Sequence, residues 1–118
     1  MFIKSKHYDK AIQKVTINLG KELGLENAED ASLTFREPTE AEVLDLRSSS
    51  TDKERLDVFK QIFKATLLEH DFWEDETVKM DDGEVIDLLF EKVSTTDKLV
   101  QDYTTAVFHF QTSGAEGR

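Results

Sequence analysis

The stretch "LTFREPTEAEVLDL", residues 33–46, decides how the fold is read. Leu33 and Phe35 alternate with Thr34 and Arg36, the two-residue period of a strand with one apolar face. Pro38, the chain's only proline, ends that pattern. It disfavours the α conformation at Glu37 and brings no amide hydrogen to a continuing ladder. Thr39 then stands where a helix cap belongs, and Glu42 three residues on completes a capping box. A helix carrying Val43, Leu44 and Leu46 follows, with its acids early, where the helix dipole favours them.

Upstream, "VTINL" sets Val15, Ile17 and Leu19 against Thr16 and Asn18 and stops at Gly20. The two alternating runs predict a β-hairpin with a long, polar, glycine-containing connection. Downstream, Leu56, Phe59, Phe63 and Leu67 share one helical stripe, widened by Val58 and Ile62. This predicts a central helix over about 52 to 70, capped by Ser50 or Thr51. "EHDFWEDETVK" breaks the period. Asp81 then caps a helix with Val85, Ile86, Leu88, Leu89 and Phe90 on its apolar face. A last helix begins at Ser94 or Thr95 and carries Leu99, Val100, Tyr103, Ala106, Val107 and Phe110 on one stripe. The expected architecture is α+β, mostly α: a short N-terminal β-hairpin, then a small bundle of three to four helices. Residues 1–13 are weakly patterned, 14–111 form one domain, and 112–118 read as a flexible polar tail.

The bulk numbers narrow the function classes. A chain of 118 residues suits one domain. Its formal charge of −10 opposes bare nucleic acid and anionic lipid and favours basic partners. There is no cysteine, which excludes disulfides, thiolate chemistry and cysteine-ligated zinc. "MFIKSKHYDK" lacks the apolar core of a secretory signal. No apolar run approaches the ~20 residues of a membrane span. A cytoplasmic protein is expected.

Motifs for chemistry are weak. Ser48, Ser49 and Ser50 with His70 and Asp71 have neither a nucleophile elbow nor a glycine-rich oxyanion turn. Glu69, His70, Asp71, Glu74, Asp75 and Glu76 gather oxygen ligands without a zinc-motif spacing. The surroundings of Gly83 fail as a calcium loop, because Val78, Met80 and Leu89 stand where oxygen ligands belong. Phosphate-binding glycine loops are absent. The expectation is no enzyme, no metal and no cofactor. Surface for a protein partner remains, and the aromatic candidates are Phe72, Trp73, Tyr103, Phe108 and Phe110.

The junction Leu33, Phe35, Arg36, Glu37, Pro38, Thr39 and Glu42, followed by "DKERLDVFKQIFKATLLEH", resembles the tail assembly chaperones of long-tailed bacteriophages. The likeness in layout runs over about residues 30 to 112, and in letters over the junction alone; the first thirty residues fall outside it. It implies a non-enzymatic domain that binds the tape-measure protein and keeps it soluble while tail-tube subunits assemble. It also implies a frameshifted C-terminal extension in many members, for which "TSGAEGR" would be the attachment point. An apolar groove between helices would cover the partner's helical stripe, and self-association is compatible with such a groove. Another small acidic binding module, a secretion-type chaperone or a regulator, is the alternative.

Overall fold

A computed structural model describes residues 1–116, with side chains described through residue 107. The protein is α+β. Its elements are α1 (Lys4–Ala11), β1 (Lys14–Asn18), β2 (Ser32–Arg36), α2 (Glu40–Arg47), α3 (Asp52–Thr66), β3 (Leu67–His70), α4 (Asp82–Leu89) and α5 (Val93–Glu116). The weakly patterned N-terminal segment therefore contains a helix. α5 carries its backbone through most of the stretch read as a tail, and residues 117 and 118 lie outside the described residues.

The hairpin forms as its alternation predicts. β1 and β2 pair antiparallel, Val15 opposite Phe35 and Ile17 opposite Leu33. Ile17, Leu33 and Phe35 are buried, while Lys14, Thr16 and Asn18 stay exposed on the other face. The connection leaves the strand at Gly20, where a Cβ would sit 2.2 Å from the Asn27 carbonyl oxygen. Only a residue without a side chain lets those two backbone segments touch. Ala31 closes the loop at φ 58°, in the left-handed region.

The junction behaves as its residues require. Thr39 Oγ1 accepts from Glu42 N–H at 3.2 Å, and Glu42 Oε1 accepts from Thr39 N–H at 2.8 Å. The same carboxylate takes the Arg36 guanidinium at 3.1 Å, so the strand end and the helix start are tied together. Glu37 N–H donates to Gln13 O, one residue beyond the last strand pair of the hairpin.

The expected helix over 52–70 is too long by four residues. α3 ends at Thr66, whose hydroxyl donates to Ile62 O at 2.7 Å. Leu67 turns to φ −65°, ψ 120°, and residues 67–70 join the sheet as a third strand in the order β1-β2-β3. Leucines at 67 and 68 satisfy a helix stripe and a strand equally well, so periodicity could not find the break. β2 pairs Leu33 with His70, Thr34 with Glu69 and Phe35 with Leu67. Leu68 is the extra residue of a bulge. The bulge brings Leu67 and His70, three apart, onto the same buried face and leaves Leu68 about half exposed.

The helices cover one face of this sheet. Phe63 lies at the centre, its ring 5.3 Å from Phe35, 5.8 Å from Phe59, 6.0 Å from Phe90 and 5.0 Å from Tyr103. Leu56, placed on the buried stripe by its spacing, is instead 41% exposed. At the start of α5, the buried hydroxyls of Thr95 and Thr96 both donate to Leu89 O and lock the α4–α5 corner. Among the described residues, no helix is long and apolar enough to cross a membrane.

Candidate functional site

Of the five aromatic candidates, the three whose side chains are described do not share one surface. Phe72 is buried against the His70 ring, and Tyr103 is buried in the central cluster, so both serve the core. Desolvation pushes the Tyr103 hydroxyl up to about 12. That hydroxyl donates at the long distance of 3.4 Å to Arg36 O, linking α5 to the end of β2. The side chains of Phe108 and Phe110 lie outside the described residues.

Trp73 is the exposed member, at 50%. It starts a small turn in which it bridges to Lys79, and Glu74 N–H donates to Val78 O. Asp75 holds the turn by accepting from Thr77 N–H, the Thr77 hydroxyl and Val78 N–H, which keeps its carboxyl below the usual range. The Trp73 indole N–H donates to Asp71 at 3.1 Å, and Lys79 Nζ lies 5.9 Å from its ring. Most of the polar contacts of this acidic stretch are spent within it.

The candidate chemical groups are likewise occupied by structure. Ser48 and Ser49 hydroxyls donate back to Leu44 O and Asp45 O at the end of α2. Ser50 donates through its backbone and its hydroxyl to Glu54, which holds that carboxyl low. His70 brackets two segments: its Nδ1 accepts from Phe72 N–H at 3.1 Å, and its Nε2 meets Asp82 Oδ1 at 3.2 Å. The ring thereby ties the start of the 71–79 turn to the first residue of α4. Among the described residues, no three acids, histidines or cysteines converge as a cation site.

Two concave surfaces stand out among the described residues. Between α2 and α3 lies a hollow of about 360 Å³ lined by Asp45, Ser48, Ser49, Glu54, Asp57, Val58 and Gln61. Val58 is its one aliphatic residue, so it does not suit an apolar helical stripe. A larger open groove of about 620 Å³ runs between β1 and α5. One wall is Lys14, Val15 and Thr16. The other is Lys98, Gln101, Asp102, Thr105 and Ala106, at the three- and four-residue spacing of a single helix face. Lys98 Nζ contacts Asp102 at 3.0 Å, and the hydrogen bond and charge of that carboxylate raise the lysine's pKa.

The backbone of β1 makes this groove distinctive. Glu37 N–H donates to Gln13 O, and Leu19 N–H donates to Ala31 O. Hydrogen-bonded pairs alternate along an antiparallel ladder, so Gln13, Val15, Ile17 and Leu19 direct their polar groups to β2. Lys14, Thr16 and Asn18 direct theirs outward, where the described sheet has no further strand. The sequence carried a signal for the hairpin, and any hairpin has two outer edges that other elements cover or leave open. It contained none for α5 lying beside that edge, which depends on how the last helix crosses the sheet.

No protein-family model, curated protein or solved structure matches the chain.

Proposed function

We propose that this domain is a binding protein of the tail-assembly-chaperone kind, which holds a tape-measure protein soluble while a tail tube assembles around it. The observation that carries the reading is a strongly acidic domain in which, among the described residues, the outer edge of β1 has no pairing strand and lies beside a groove. Such an edge suits a chain rather than a small molecule, because its row of donors and acceptors matches another backbone. A formal charge of −10 on the carrier would keep the complex from aggregating. The junction from Leu33 to Glu42 adds the family resemblance, and it folds as a strand tied to a capped helix.

Co-expression with a tape-measure protein tests the reading. The expected result is transfer of the tape measure from the pellet to the supernatant, and its co-purification with this domain. A tape measure equally insoluble with and without the domain would overturn it.

A further inference from the structure

We propose that the outer edge of β1 takes an extended, acidic peptide segment as a fourth strand, laid in the groove beside α5. The inference rests on the binding role above and specifies its surface and its ligand chemistry. The outward N–H and C=O groups of Lys14, Thr16 and Asn18 form the pairing row. Side chains of an added strand would alternate. Those level with Val15 and Ile17 enter the groove and meet Val15, Thr105 and Ala106, which leaves room for small or medium aliphatic groups. Those level with Lys14, Thr16 and Asn18 lie on the exposed sheet face.

Charge selects the occupant. Across residues 1–21, Lys4, Lys6, Lys10, Lys14 and Lys21 stand against Asp9 alone, although the whole chain is at −10. The edge strand thus begins in a basic stretch of an acidic molecule, and the charged groups lining the groove beside it are Lys14 and Lys98 against Asp102 alone. An acidic strand gains from that local field and a basic one loses. A second copy of the chain paired edge to edge is the poorer occupant, since it brings the same lysines to the pairing row.

The probe is a short synthetic peptide alternating Glu and Val, added to the full chain and followed by backbone NMR. Binding should perturb residues 14–18 and 98–106 and slow hydrogen exchange at Lys14, Thr16 and Asn18. Replacing its Glu by Lys, or its central Val by Pro, should weaken it by about tenfold or more. The variant Thr16→Pro removes one outward N–H, and Lys14→Glu reverses the edge charge while leaving every described hydrogen bond in place. Each should reduce binding of the Glu–Val peptide, with Lys14→Glu restoring affinity for the Lys–Val version. No shift at residues 14–18, equal binding of both charge versions, or slow exchange at those amides through dimerisation without peptide would each overturn the proposal. The outcomes also separate the two readings. A bound peptide with an insoluble tape measure removes the proposed function alone. A tape measure kept soluble equally well by Thr16→Pro and Lys14→Glu removes the edge alone.

Discussion

The two edges of β1 have opposite fates within one five-residue strand. Its inner edge is sealed to β2 and backed by the ring cluster of Phe35, Phe63 and Tyr103, which lie at 0%, 0% and 1% exposure. Its outer edge faces a polar helix stripe across an open groove. Packing has saturated one side and left the other with unspent hydrogen-bonding capacity. Stability and binding should therefore separate: substitutions behind the strand should change folding, and substitutions along its rim should change recognition.

The largest effect should come from Phe63→Ala. Four aromatic rings surround Phe63, and removing a buried ring of that kind costs about 3–5 kcal/mol. Urea denaturation would measure it. A loss no greater than that of an exposed substitution would erase the distinction between the two sides.

Next in size is Gly20→Ala. The added methyl meets backbone, which cannot rotate away as a side chain can. The loop must shift, at about 1–3 kcal/mol, again read from the urea midpoint.

Tyr103→Phe keeps the ring and removes the hydroxyl that reaches Arg36 O. It should cost about 1 kcal/mol near neutral pH. It should also flatten an alkaline limb. Burial raises the folded Tyr103 to about 12, so the stability linked to its proton is complete below the ordinary value of 10 and is lost as pH rises towards 12. Stability of the wild type and the variant across that window would check the sign.

The smallest of these effects should lie at Glu42. Burial pushes its carboxyl up, but the Thr39 N–H and Arg36 outweigh that and hold it below the ordinary 4.5. Its contribution is present above the unfolded value and is lost as pH falls through the lowered folded one. Glu42→Gln should show a shallower acid limb in urea midpoints taken from neutral pH downwards.

Much of the sealed side was legible in the residues. Strict alternation at 15–19 and 33–35 identified the hairpin, and Pro38 with Thr39 and Glu42 identified the turn into α2. Tyr103 was readable as inward because its stripe is regular. β3 was hidden because Leu67 and Leu68 serve either period, and a bulge removed the alternation that would have marked a strand. Phe72 was misplaced for a related reason: no period covers residues 71–79, so its burial follows only from where the turn folds back, with Met80 N–H donating to Phe72 O. The groove was the least legible feature, because it is made by two elements some eighty residues apart in the chain.

Amide hydrogen exchange along β1 in the unliganded protein is the most direct test of the contrast between its edges. Val15 and Ile17 should exchange slowly, through opening of the sheet, while Lys14, Thr16 and Asn18 exchange at rates near those of an unstructured chain. A strand protected uniformly from 14 to 18 would mean that its outer edge is already covered, and would contradict the account.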